Sequence, residues 1–564
     1  MADITTIYRG FRGVDFRGEE IDLTRSPDSV NMWKDYREID SIRTRPALKL
    51  FDKFNDTVWG IFFYKVRGME HIFVHAGTNL YMKGTISYRL VYGGHNARPS
   101  NAFIFDDIWY FMDGKNYLCF DGGSVKKVTG YIPTTSISRT PEGSGKTHEE
   151  VNLLTGRRKN TFVGDDTSFE YHLDTQDIDD EEIDGVYPTV TVNGNKLLTS
   201  QYSVDFKNGI VTLKTPAGTP LTVGQDNVVI TFTKTITGNS DKITKCTIVQ
   251  MFDNRIFVSG NPDYPNTIWH CSLNEPKYFS DDDRYNEGLD SGTVKGIVAG
   301  NDALWIFKEP SQANTTVFYH RPQMDYEYGK IYPSVHSSIS TGCIGKAINF
   351  NDDIIFFSDR GAEGINGDVT TEQVIAHRSS LVDRKLTAEP NYANMLLEEW
   401  EGYLVVIIDN KAYLADSRAM YQNLNHPEYE WFYWEFDKKI TSVKVDKRVL
   451  YLGTEDGIYT LTDNDADIPC HWTTPKNKFN YPQRTKTTNK RGAVVEAEGD
   501  ISVSVKTEKS EFEHIGDFND VTDFFVMRIK RKKFKDLQLQ FKSTTRFSLE
   551  SATLECYVGG YIKR

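Results

Sequence analysis

The stretch "CTIVQMFDNRIFVSGNPDYPNTIWHCS", residues 246–272, joins two short apolar runs at Asp253-Asn254 and then starts a third run, "TIWHCS". One copy of such a segment reads as a β-hairpin with an added strand. Similar segments begin at Ile61 ("IFFYKVRGMEHIFVHAGTNLYM"), Ala102 ("AFIFDDIWYFMDGKNYLCF"), Gly296 ("GIVAGNDALWIFKEPSQANTTVFY"), Ala347 ("AINFNDDIIFFSDRGAEGI"), Met395 ("MLLEEWEGYLVVIIDNKAYLA") and Ser442 ("SVKVDKRVLYLGTEDGIYTL"), making seven units. Their first turns, anchored on Asp253, Asn301, Asp352, Glu401 and Asp446, stand 45 to 51 residues apart, the length of a four-stranded propeller blade. A lone blade cannot bury both faces, whereas blades packed radially cover one another. The expected fold is therefore all-β: a β-propeller of about seven blade-like repeats, with an inserted β-sandwich and a C-terminal β domain. The outermost strands are weakly marked, and the N-terminal segment is able to close the last blade. Unrelated hairpins in two sandwich domains are the competing reading.

Composition agrees. A chain of 564 residues exceeds one ordinary core, and 13% aromatic residues with 42 glycines favour strands and tight turns. The net charge of -13 is spread along the chain, which argues against a surface-wide grip on nucleic acid. An acidic wall would still let DNA pass without sticking, because each Lys or Arg on a phosphate adds salt-dependent attraction. The six cysteines form no Cys-x-x-Cys pair, so reduced, buried thiols are expected rather than zinc sites or disulfides. "MADITTIYRGFRG" has no signal-peptide core, and no window approaches the roughly 20 apolar residues of a membrane span. Synthesis in the cytoplasm is expected.

Five segments follow: an N-terminal strap (1–50), blades (51–156), an inserted β-sandwich (157–245), further blades (246–465) and a C-terminal β domain (466–564). In the insert, "YPTVTVNGNKL" and "YSVDFKNGIVTL" predict hairpins with primed turns at Asn193-Gly194 and Asn208-Gly209, and "NVVITFTKT" supplies a closing strand. "RTPEGSGKTHEE" and "KTITGNSDKITK" read as flexible joints. The C-terminal runs "ISVSVKTEKS", "FFVMRIKRKKF", "LQLQFKS" and "LECYVGGYI" alternate as strands.

No catalytic set, metal site or cofactor site is expected. Asp281, Asp282 and Asp283 lack the spacing and glycine of a calcium loop and read as a solvated loop. His71, His75 and His95 have no ligand spacing. "EGSGKT" (142–147) lacks the first glycine of a phosphate loop. Asp106-Asp107 and Asp352-Asp353 are assigned to tight turns, where Asp forms turn hydrogen bonds. "YEWFYWEF" (429–436) reads as propeller core before it reads as a sugar platform. Two basic runs remain as candidate subunit or phosphate contacts: Arg484, Lys486, Lys490 and Arg491, and then Arg528, Lys530, Arg531, Lys532, Lys533 and Lys535. In the second, Met527, Ile529 and Phe534 are expected to face a core, with Arg528 and Lys530 outward. Against an acidic chain a neighbouring subunit is the favoured target; the plain alternative is an edge strand guarded by lysines.

The strap resembles the opening of tailed-phage packaged-DNA stabilisation or tail nozzle proteins. The matching elements are Phe11-Arg12-Gly13-Val14-Asp15, Ser26-Pro27-Asp28-Ser29-Val30-Asn31-Met32 and Arg45-Pro46, and the likeness extends through the blades to about Asp463. Ala47 stands where a glycine is common after Arg-Pro, and the insert is an elaboration on the simplest members. The insert is itself similar to small β-sandwich modules of phage structural proteins. The resemblance implies a virion tail protein that forms a ring, six copies in the family, below the portal and adaptor, where it lines the DNA exit channel. A receptor- or glycan-binding virion protein and a polysaccharide hydrolase are the alternatives.

Overall fold

Each of the seven sequence units folds as one four-stranded antiparallel blade. A computed structural model describes residues 3–35, 41–180, 186–222, 224–312, 316–326, 329–366, 374–423, 426–463 and 467–562. Blades 1 to 7 comprise residues 58–93, 101–127, 248–286, 294–336, 347–377, 396–435 and 442–462, the last completed by an N-terminal strand.

The second strand of most blades is apolar nearly throughout, as in Ile108–Met112, Ala303–Lys308 and Tyr403–Ile408, because a strand with neighbours on both faces has no polar side. In blade 5, Ile354 and Phe356 pack toward blade 4, whereas Ile355 and Phe357 pack toward blade 6. Seven apolar clusters occupy the seven blade junctions in turn, and the cluster of Val58, Ile61, Val74 and Ile458 joins blade 7 back to blade 1. The ring is closed.

Every first hairpin turns on two residues in the left-handed region: Arg67-Gly68, Asp106-Asp107, Asp253-Asn254, Asn301-Asp302, Asn351-Asp352, Glu401-Gly402 and Lys447-Arg448, with φ from 47° to 80°. Two-residue primed turns match strand twist, and they favour Asn, Asp and Gly. Two residues assigned to turns lie one position outside them. Asp353 opens the second strand and accepts from Arg378 and Tyr429, while Asp446 ends its strand before the turn.

The strap is shorter than expected, because residues 47–53 belong to the propeller. With β1 Asp3–Arg9, β2 Met32–Trp33, β3 Ile42–Thr44 and β4 Ala47–Lys53, β4 pairs with Gly457–Thr462 as the outer strand of blade 7. The chain thus closes its own ring.

The insert also starts earlier than residue 157. Thr134–Arg139 pairs in parallel with Arg157–Phe162, and Lys146–Thr147 pairs with it on the other side. The "EGSGKT" loop is therefore not a flexible joint: Arg139 donates to Gly143 O at 2.7 Å and to His172 O at 3.0 Å, holding it against the sheet. Asn152 donates to Tyr131 O and Lys277 O at 2.8 Å, fastening the insert to blade 3. Asn193-Gly194 forms the primed turn. Residues 206–209 instead form a four-residue loop between Asp205 and Ile210, because the Asp205 carboxylate takes the Asn208 N–H. The run Asp281–Asp283 lies within the strand Glu275–Asn286, not in a loop.

The C-terminal domain is built on one 24-residue strand, Arg484–Thr507. Residues 510–534 run antiparallel along one side in three segments, and residues 537–561 along the other in two. Phe534 pairs beside Lys486, yet Leu537, three residues later, pairs opposite Thr507. The two ends of the long strand must therefore meet, which coils the sheet into a barrel. The boundary placed at residue 465 lies outside the described residues.

Candidate functional site

The strap joins the propeller to the barrel through backbone pairing. β2 pairs with β3 and with Tyr433 of blade 6, and β3 pairs with Phe547–Tyr561 of the barrel. Blade 6, strap and barrel thereby form one continuous sheet.

Most strap residues singled out in the sequence serve this joint. Gly13 has φ 86°, and a Cβ there would stand 2.1 Å from Trp431 O; the adjacent Val14 N–H donates to that same oxygen at 2.7 Å. Phe11 packs edge-on against Trp472 of the barrel. Asp15 is buried and paired with Arg17, and its N–H donates to Ser26 O. Ser26 Oγ accepts from Asp28 N at 3.2 Å and Thr473 N at 3.3 Å. Pro27 and Asp28 border an open cleft beside Lys385 and Lys411, and Asp28 stands 3.4 Å from His471.

Asn31 is the hub. Its Oδ1 accepts from Arg45 Nε at 2.9 Å and from Glu435 N at 2.7 Å, while its Nδ2 donates to Pro469 O at 2.8 Å. Arg45 also donates to Pro46 O and Glu435 O, and its guanidinium lies over Phe436. Burial pushes the Arg45 pKa down to about 10, with Asp437 opposing the shift. These bonds span the floor of a cleft of about 890 Å³ between strap, blades and barrel.

The basic runs divide. Lys486 is buried, donating to Tyr481 O at 2.6 Å and Lys535 O at 2.7 Å, and burial holds its pKa below the ordinary lysine value. It clasps the two ends of the barrel strand, so it is withdrawn as a surface contact. Arg484 stacks on Tyr561, and Arg531 pairs with Glu513 at 2.6 Å. Met527 and Ile529 are buried and Arg528 and Lys530 exposed, as the alternation predicts; Phe534 is buried and Lys533 exposed because Lys533 sits in the left-handed region at φ 57° and shifts the register. The side chains of Lys490, Arg491 and Lys532 lie outside the described residues.

The remaining polar clusters are internal. His95 Nδ1 bonds Asp113 at 2.8 Å, and His75 Nδ1 bonds Ser100 at 2.9 Å; burial lowers the His75 pKa to about 4. Sequence reading missed two clusters. His320 Nε2 bonds the buried Glu287 at 2.7 Å, and Ser334 donates to the other Glu287 oxygen at 2.6 Å. His377 lies between Asp383 at 2.5 Å and Glu363 at 3.1 Å; burial opposes its charge, but these bonds raise its pKa to about 10. The partners stand 6 to 47 residues apart, and no local pattern marks them. "YEWFYWEF" is core, with every aromatic buried. All six cysteines are free and buried. Among the described residues, no group of three or more His, Cys, Asp and Glu is placed to hold a metal, and no helix is long and apolar enough to cross a membrane.

No family model and no curated protein matches the chain. Among solved structures, BamB from Moraxella catarrhalis is similar over 74% of this chain and 99% of its own, at 11% identity and a TM-score of 0.31. The computationally designed Ika8 protein shows the same coverage and TM-score at 9% identity, and the AfRom2 CNH domain does so at 7%. Likenesses this loose bear on neither activity nor partners. The propeller is defined by the chain's own closed ring of sheets.

Proposed function

We propose that this protein is a structural component of a bacteriophage tail, a ring-forming nozzle or head-to-tail connector that helps retain packaged DNA and lets it pass during ejection. The observation that carries the reading is the strap joint. The residues that resemble the phage family, Gly13, Ser26, Asn31 and Arg45 above all, are those that weld propeller and barrel into one bracket. A protein under load from packaged DNA needs such a weld, because domains joined by loose linkers move independently.

The DNA path in this reading belongs to the axis of the assembly, not to one propeller. Within a propeller, inner strands stand within a side chain's reach of their neighbours: Tyr64 OH donates to Ala102 O at 2.6 Å, and Asn349 Nδ2 to Ala299 O at 3.0 Å. The acidic excess suits a wall that duplex DNA slides past. The exposed Arg528, Lys530 and Lys533 suit an acidic neighbour, whether another copy or a portal or adaptor protein.

Native mass spectrometry and class averages of the protein, alone and with its virion's portal–adaptor complex, test the proposal. Docking as a sixfold ring with an axial opening wide enough for a duplex is expected. A species that ignores the portal complex overturns it.

A further inference from the structure

β1 is an open edge. Its seven residues pair with the barrel in unbroken register, from Asp3↔Tyr557 to Arg9↔Ser551, and no second described strand pairs with it. Proteins guard exposed edges with proline, charged side chains, bulges or short strands. "DITTIYR" has no proline, lysine or bulge, and its two charges, Asp3 and Arg9, stand only at its ends. The barrel's other edge is guarded: Ser510–Val521 carries Glu511, Glu513, Asp517 and Asp520, and its register shifts repeatedly.

The strand also complements itself when reversed. Antiparallel pairing of two copies about Thr6 sets Asp3 opposite Arg9, Ile4 opposite Tyr8 and Thr5 opposite Ile7. Opposite charges facing across strands stabilise a pair and like charges weaken it; the side chain of Asp3 lies outside the described residues, and by sequence this register contains two opposite-charge pairs and no like-charge pair. Arg9 is exposed and has no ion-pair partner among the described residues. On the outer face, Ile7 lies in one cross-strand row with Thr553, Val494 and Val526. The three aliphatic residues of that row are 47%, 40% and 52% exposed. Pairing about Thr6 makes the two Ile7 side chains diagonal neighbours on this face.

We infer that two copies of this chain associate through β1, with a two-fold axis at Thr6, so that one sheet runs from barrel to barrel. The contact is isologous. It goes beyond the ring proposed above and does not rest on it.

Sedimentation equilibrium of the full-length protein against concentration tests the contact, using Arg9→Glu and the double swap Asp3→Arg with Arg9→Glu. Arg9 is exposed, so the folded state is retained, and a thermal melt checks this. The single reversal sets glutamate against Asp3 twice and is expected to weaken dimerisation at least about tenfold. The double swap restores it to within about threefold. Amide exchange of Ile4 to Tyr8 slows on dimerisation. A wild-type protein that stays monomeric, or an Arg9→Glu variant that dimerises as wild type does, overturns the inference. So does a double swap that fails to rescue. A sixfold ring with no Arg9-dependent dimer beside it overturns this contact and leaves the ring proposal standing; β1 dimers that ignore the portal complex do the reverse.

Discussion

Asn31→Ala is expected to loosen the barrel from the propeller. The substitution leaves the Glu435 N–H, the Pro469 carbonyl and the Arg45 Nε–H without partners in a site where Asn31 is 4% exposed. Each buried orphan costs roughly 1–3 kcal/mol. Asn31 has φ 59°, a conformation that asparagine tolerates and alanine adopts at a further cost of about 1 kcal/mol. Water entering the vacated space restores part of the loss, and about 3–5 kcal/mol is expected to remain. Unfolding of a multidomain chain is not one two-state event, so calorimetry is the suitable assay. The barrel transition should separate from that of the propeller and fall by more than about 10 °C, at 4–8 °C per kcal/mol for a domain of this size. Limited proteolysis should release the barrel. Asn31→Gly should recover about 1 kcal/mol of the alanine loss by removing the backbone strain alone. A thermogram of Asn31→Ala within about 3 °C of wild type would refute the hub assignment.

Gly13→Ala should destabilise by about 3 kcal/mol or more, because its Cβ meets Trp431 O as well as a left-handed backbone. Gly10→Ala, with φ 63° and nothing within 4 Å of the added carbon, should cost only about 1 kcal/mol, and thermal melts of the two distinguish steric from backbone strain. Asp107→Gly should stabilise blade 2 by about 1 kcal/mol, since Asp107 occupies the second turn position at φ 59°; a lowered melting temperature would contradict the turn assignment. The folded His377 pKa of about 10 lies above the ordinary histidine value. Its contribution to stability is therefore complete below about pH 6.5 and is lost as pH rises toward 10. His377→Gln should flatten that part of the stability–pH curve, which chemical denaturation at several pH values would measure.

In the candidate site, the strap residues were visible as a pattern but their task was not. Gly13 needs the carbonyl of Trp431, and Asn31 needs Glu435 and Pro469, all about 400 residues away. The alternation around Met527 and Ile529 correctly placed Arg528 and Lys530 outside. The same reasoning failed at Lys486, because a local pattern cannot tell that the two ends of a 24-residue strand meet around its ammonium group.

The sequence by itself determined the seven blades and their turns. Apolar second strands such as "IWYFM" and left-handed pairs such as Asp253-Asn254 act within a dozen residues, where side-chain chemistry decides conformation directly. Closure of the last blade by the N-terminal segment was legible in the sequence, but tertiary structure alone decided that residues 47–53 do it, the early start of the insert at Thr134, the coiling of the barrel and the continuous sheet through the strap. Each of these depends on which distant strand edge is left open when the chain collapses, and an open edge pairs through backbone groups that every sequence shares.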